Sequence, residues 1–348
     1  MLKPKNKGLF VDISEFSILA AQTSGDNDSR VIEKIADFPF EGDYSAKEIR
    51  NFFGELVDIK GGNYPATCGI YLEERFICYH ELNSGVRLKN QNVLKNLLKS
   101  ELDIDLETNS VSILNAYDGS LFDPKKNATN QLIFCGGPMA LFQEAQDEIL
   151  SYGLLPERLE MSSVASLGGL CHYIQSNQFE SSVMMIELAS DSMHISIVNK
   201  GRVDMTRSLG FGLDSLFPIL KDEMGLQDEA SARKLFHANT FDVAEMGREL
   251  LKKILKELQA VSGYYEVQTG LNIDRFFINL LPSKLSWIPS TISNLLGIEP
   301  MKIEFEPWLQ SLGVSVGSSI NLSGLGSRWI ALFSLMAEFN LENDLRDE

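Results

Sequence analysis

The chain has 348 residues, 44 % hydrophobic and 23 % charged, with 31 Lys and Arg against 48 Asp and Glu, a formal net charge of −17. Such a length allows two cores, because single cores stop growing near roughly 250–300 residues, and the composition is that of a globular protein. The acidic balance argues against nucleic acid or an anionic membrane as a broad partner, favours solubility, and leaves room for a basic partner peptide.

The first periodic element, Gly8 to Thr23, reads as a strand, a polar tip and a second strand. "SRVIEKIADFPF" supplies a third strand, and Ala46–Leu56 a helix with Ile49, Phe52, Phe53 and Leu56 on one face. "ATCGIYL" and "RFICYHEL" pair as strands, and from about Val86 the texture changes. There "NVLKNLLKSEL" is a short helix, "SVSILNAYDGS" and "NQLIFCGG" are strands around a turn-rich segment, and "ALFQEAQDEILSYG" is a helix ending on Gly153. "LLPERLEMSSVASLGGLCHYI" leads back to the main body as strand and helix.

The second half opens on "MMIELASDSMHISIVNKG", another strand, tip and strand. Val11-Asp12-Ile13-Ser14 lies over Ile186-Glu187-Leu188-Ala189: apolar, acidic, apolar, small, then an acidic tip at Glu15 and Asp191. Two such hairpins, one opening each half, suggest a duplicated fold. "RVDMTRSLGFG" is a further strand, and "LDSLFPILKDEMG" and "DEASARKLFHA" are helices. A long helix is expected from about Val243 to Tyr265, with Leu251, Leu255, Leu258 and Ser262 along one stripe and Ile254, Val261 and Tyr265 beside it. "DRFFINL" is a strand, "WIPSTISNLLG" a turn and helix, and "EPMKIEFEP" a final edge strand. Gly-rich "GVSVGSSINLSGLG" precedes a last helix, Ser327 to Phe339. Strands alternating with helices in both halves define an α/β protein.

Cys68, Cys78, Cys135 and Cys171 form no CxxC pair, and His80, His172, His194 and His237 are scattered, so neither disulfide scaffold nor metal centre is expected. Without an apolar run of about 18 residues or a signal-type leader, the chain is expected in the cytoplasm.

The order of elements resembles the actin-like ATPase superfamily, and within it the PilM/FtsA-like branch. That branch carries an Asp-Ile-Gly hairpin in each lobe, where this chain reads Asp12-Ile13-Ser14 and Glu187-Leu188-Ala189. Arg207-Ser208-Leu209-Gly210-Phe211-Gly212 is similar to the family's Arg-bearing strand and Gly-rich turn. The resemblance implies ribonuclease H-like lobes at 1–82 with 158–180 and at 181–348, and a small inserted α+β subdomain at 83–157.

It also implies a nucleotide cleft whose jaws are the two hairpin tips, formed here from Asp12, Ser14, Glu187, Ala189, Ser190 and Gly212. Glycine at such tips lets backbone N–H groups approach phosphates. Ser14 and Ala189 each add a Cβ there, and Glu15 and Asp191 add carboxylates. At about 4 Å and an effective dielectric near 20, each like-charge pair opposes a polyphosphate by about 4 kcal/mol. Ser17 and Ile18 stand where a lysine would help, and Leu280-Leu281-Pro282 replaces the family's Gly-Gly at the adenosine. A degenerate cleft is expected, without hydrolysis and without a bound cofactor; weak binding of ATP, with Mg²⁺ held through water by Asp12, is the alternative.

The function the resemblance implies is a cytosolic scaffold of a type IV pilus or related secretion platform. Its partner would be the cytosolic tail of a PilN-like single-span membrane protein, held between the first lobe and the insert, which would bring the scaffold to the inner membrane. An active ATPase or kinase, and an FtsA-like division protein, are the alternatives. An FtsA-like membrane helix is disfavoured because Glu342, Asp344, Asp347 and Glu348 make the end of the chain acidic. Trp329, Ile330, Phe333 and Met336 are expected to pack on the second lobe instead. Ile278-Asn279-Leu280-Leu281-Pro282 spells a motif of PilN tails, but its place inside a strand favours a buried strand ending at a proline turn.

Overall fold

Both halves of the chain build a sheet of the same strand order. The structure, a computed structural model, describes residues 7–25, 30–40, 44–59, 62–82, 91–123, 130–238 and 246–337. It divides into two units: unit 1 holds residues 1–176, 303–325 and 329–348, and unit 2 holds 177–302 and 326–328.

In unit 1, β1 (Lys7–Ile13), β2 (Ser17–Ser24) and β3 (Arg30–Pro39) form an antiparallel meander. β4 (Tyr64–Ile70) joins β1 in parallel, and β8 (Leu154–Met161) joins β4. The order is β3-β2-β1-β4-β8, with β14 (Val314–Val316) outside β3. In unit 2, β9 (Ser182–Leu188), β10 (Met193–Asn199), β11 (Arg202–Leu209), β12 (Ile273–Asn279) and β13 (Glu299–Pro300) follow the order β11-β10-β9-β12-β13. The registers coincide as well. Asp12 lies opposite Leu19 and Gly69, and Glu187 opposite His194 and Asn279. The duplication suggested by four residues therefore extends through five strands.

α1 (Ala46–Leu56) begins on a capping box, with Ser45 and Glu48 exchanging side-chain and backbone hydrogen bonds, and buries Ile49, Phe53 and Leu56 against the unit 1 core. The insert is a three-stranded antiparallel sheet, β5 (Phe76–Glu81), β7 (Gln131–Pro138) and β6 (Asn109–Asn115), with α2 (Gln91–Glu101). Leu82, Leu97, Leu98, Ile104, Leu132 and Phe134 give it a core of its own. α3 (Met139–Ser151) leads out of it and turns at Gly153, φ +84°, into β8, and α4 (Ser162–Ser176) follows. Unit 2 adds α5 (Phe217–Met224), α6 (Glu229–Ala238), α7 (Gly247–Leu250), α8 (Lys252–Thr269) and α9 (Trp287–Leu296).

The end of the chain departs from expectation. "EPMKIEFEP" contributes only the two residues of β13; Phe305 then opens α10 (Phe305–Ser311), because Phe305, Trp308 and Leu309 bury at helical spacing. β14, inside the Gly-rich stretch, adds to the edge of unit 1. The last helix, α11 (Trp329–Ser334), packs on α4 of unit 1, not on the second lobe, although 181–348 was assigned there. The physical reason is close fit: a Cβ at Gly169 of α4 would overlap the Ser334 hydroxyl and lie 3.1 Å from Ile330. Two further differences are smaller. The insert sheet begins at β5, ahead of the expected boundary at 83, and the expected helix from Val243 is α7 followed by α8. Its start at 243–245, the boundary residues near 86, and 338–348 lie outside the described residues.

Candidate functional site

The tip of the first hairpin is closed by its own serine. The backbone N–H groups of Phe16 and Ser17 donate to Ser14 Oγ at 3.3 and 3.2 Å, while Ser14 donates its N–H and its hydroxyl to the Ser17 carbonyl at 3.1 and 3.0 Å. A phosphate cradle needs such N–H groups turned toward the ligand. Here two of them are taken by the side chain that replaces glycine, and exposed Glu15 stands at the apex.

In the second hairpin the tip is locked from the neighbouring turn. Ala189 N–H donates to the Ser192 carbonyl at 3.0 Å, Leu213 N–H to the Ala189 carbonyl at 2.9 Å, and Asp214 N–H to the Ser190 carbonyl at 2.8 Å. Gly212 permits this approach, since a Cβ there would overlap the Ala189 carbonyl oxygen. Ala189 is buried, Ser190 half-buried and Asp191 exposed. Gly212 thus serves the packing of its own turn.

Asp12 faces into unit 1. It is buried and accepts a hydrogen bond from the hydroxyl of Ser162, the first residue of α4. Gly69, opposite it on β4, has room for no side chain: a Cβ would overlap Ser162 Oγ, 2.9 Å from Leu335 and 3.1 Å from the Asp12 carboxyl. The carboxyl therefore sits at the N-terminus of α4, where the helix dipole favours negative charge. Arg158 and Arg30 donate to the carbonyls of Leu335 and Met336 and hold this segment against the sheet.

Glu187, the counterpart of Asp12, is buried between Asn279 and His194 in the strand register. His194 Nδ1 lies 2.9 Å from Ser208 Oγ, so Ser208, His194, Glu187 and Asn279 form one polar row across four strands. Sequence reasoning found Glu187 but missed the row, which the matching registers alone reveal. Arg207 pairs with Glu257 of α8 at 2.7 Å.

After β12 the backbone turns through Leu280 at φ +62°, a conformation glycine adopts freely and leucine rarely. A left-handed turn thus stands, with a leucine in it, where the resemblance implies Gly-Gly. Ile278, Asn279 and Leu280 are buried, so the PilN-like spelling forms a strand end and not an exposed peptide. Among the described residues no group of three or more His, Cys, Asp and Glu is placed to hold a metal ion, and no helix is long and apolar enough to cross a membrane.

In unit 1, aromatic side chains gather where β3 meets α1. Phe40 stacks on Tyr44 with centroids 4.1 Å apart, and Phe38 lies 5.4 Å from Phe52. Leu141, Phe142 and Ala145 of α3 pack on the same core. Tyr44, 43 % exposed, has its hydroxyl pushed above the usual phenol range by burial and by Glu148 of α3.

Two sheets that share one five-strand order, paired hairpins and an inserted α+β subdomain define the actin-like ATPase fold, and the chain has it. It is similar over its whole length to a chain of the PilM–PilN type IV pilus biogenesis complex, with a TM-score of 0.69 at 12 % identity, covering 96 % of this chain and 98 % of that one. Weaker matches include a protein of actin-like ATPase fold and unknown function from Bacteroides thetaiotaomicron, at TM-score 0.48, 13 % identity and 96 % of both chains. Another is the cytoplasmic domain of EpsL, an inner membrane component of the type II secretion system of Vibrio cholerae, at TM-score 0.42, 10 % identity and 95 % and 93 %. No protein-family model and no curated protein matches the sequence.

Proposed function

We propose that the protein is a PilM-like scaffold of a type IV pilus or related secretion platform, which binds the cytosolic tail of a PilN-like membrane protein and does not turn over nucleotide. The full-length likeness to the PilM–PilN complex carries this reading. The aromatic surface of Phe38, Phe40 and Tyr44 beside α3 supports it, because an extended apolar tail needs such a seat between lobe and insert. The partner holds the scaffold at the inner membrane. The tips speak against nucleotide: Ser14 occupies the N–H groups of its own turn, and Glu15 and Asp191 repel phosphate.

The test is titration calorimetry with synthetic N-terminal tails of single-span membrane proteins encoded beside this gene. A tail is expected to bind at micromolar Kd or better, and Tyr44→Glu to weaken it at least tenfold. Silence from every such tail would end the reading. Mg-ATP and Mg-ADP at millimolar concentration are expected to leave the melting temperature unchanged; a clear upward shift would restore the nucleotide cleft.

A further inference from the structure

The charge of the chain is unevenly placed. Unit 1 carries 17 Lys and Arg against 32 Asp and Glu, whereas unit 2 carries 14 against 16. Within unit 2, α8 shows one outward stripe at 3-4 spacing, Lys253, Lys256, Ala260, Gly263 and Val267, with Tyr264 beside it and Leu271 just past its end. The inward stripe of the same helix, Ile254, Leu255, Leu258, Val261 and Tyr265, already fills the core, so the exposed apolar residues of the outward one are not needed there. Yet Val267 is 83 %, Tyr264 59 % and Leu271 42 % exposed. The small residues Ala260 and Gly263 flatten the middle of the stripe, which lets a second backbone approach. Lys252, Lys253 and Lys256 make its N-terminal end basic, and Lys253 lies over the Phe211 ring at 3.8 Å.

Segment 338–348 of the chain, "EFNLENDLRDE", has the opposite character. It offers apolar Phe339, Leu341 and Leu345 among five carboxylates and one arginine. Apolar matches apolar, and acid matches the lysine end. We propose that α8 is a docking face for segment 338–348 of a second copy of this chain, so that the scaffold self-associates by tail exchange. The overall charge of −17 does not prevent it, because at physiological salt repulsion beyond about 8 Å is screened while the local lysine–carboxylate contacts persist.

Sedimentation equilibrium of the full chain at 5–200 µM tests this. The wild type is expected to self-associate, and Val267→Asp, at a site too exposed to affect folding, to weaken association at least tenfold with an unchanged melting curve. Lys256→Glu should weaken association in the same way, and adding Glu342→Lys with Asp344→Lys to that variant should restore it. A wild type that stays monomeric at 200 µM, or association indifferent to Val267→Asp, overturns the proposal. So does recruitment through α8 to vesicles of 70 % phosphatidylcholine and 30 % phosphatidylglycerol without self-association, which would assign the face to lipid.

Discussion

Changing Asp12 to alanine separates two accounts of this residue. If Asp12 only survives from a nucleotide site, its removal leaves stability untouched. The structure gives it a present task instead: it is 3 % exposed, accepts the Ser162 hydroxyl, and stands at the first turn of a 15-residue helix. Removing the acceptor leaves a fully buried hydroxyl without that partner, which costs about 1–3 kcal/mol. Loss of the carboxyl from the helix N-terminus adds about 0.3–1 kcal/mol, up to ~2 when partly buried. Asp12→Ala should therefore destabilise unit 1 by about 2–4 kcal/mol. At roughly 2–4 °C per kcal/mol for a unit of this size, its melting temperature falls by about 4–16 °C. Asp12→Asn keeps an acceptor and should cost less than half as much. Differential scanning calorimetry resolves the two units if they melt separately, and urea denaturation followed by tryptophan fluorescence in a Trp287→Phe background, which leaves Trp308 and Trp329 of unit 1, reports on that unit. An Asp12→Ala protein within about 0.5 kcal/mol of wild type would refute the reasoning.

Leu280 should reverse the usual order of Ala and Gly: at φ +62° the Leu280→Gly protein is expected to be about 1 kcal/mol more stable than Leu280→Ala in urea melts, because only glycine takes this conformation without strain. Gly212→Ala drives a methyl group into the Ala189 carbonyl and should lower stability by about 1–3 kcal/mol, read by thermal melting of unit 2. His172 accepts the Trp308 indole N–H at Nδ1, 3.1 Å away, and burial holds its pKa below the usual imidazole value. The unfolded chain therefore binds the proton first. Stability should be full above about pH 6.5 and decline as pH drops below it, and His172→Gln should flatten that slope in urea melts between pH 5 and 8.

The two hairpins could be read from sequence because a two-residue period and an acid before a polar tip are local signals, and the α1 capping box is equally local. Gly153, expected to end a helix, adopts a left-handed φ of +84°. What escaped reading depends on partners distant in sequence. Nothing in "GVSVGSSINLSGLG" says that Val314–Val316 will pair with Arg30–Ile32, nearly three hundred residues earlier. Gly169 reads as an indifferent helix residue until Ser334 arrives against it. At the candidate site the residues themselves were legible: Ser14, Ala189 and Leu280 all stand where the resemblance implies glycine. Their consequences were not, since a serine at a tip can either block a ligand or close the turn, and only the hydrogen bonds of Phe16 and Ser17 decide between these. The aromatic gathering of Phe40 and Tyr44 was missed because one follows β3, the other precedes α1, and they share no period.

The return of residues 303–325 and 329–337 to unit 1 bears on the order in which the polypeptide matures on the ribosome. Until about 330 residues have emerged, the surface around Gly169 and Leu170 lacks its covering helix, and the outer edge of β3 lacks β14. Domains made first usually finish first during synthesis. Here the later-made unit 2 can complete its sheet while the earlier one waits, with Arg30 and Arg158 as the groups that fasten the closing segment once it appears.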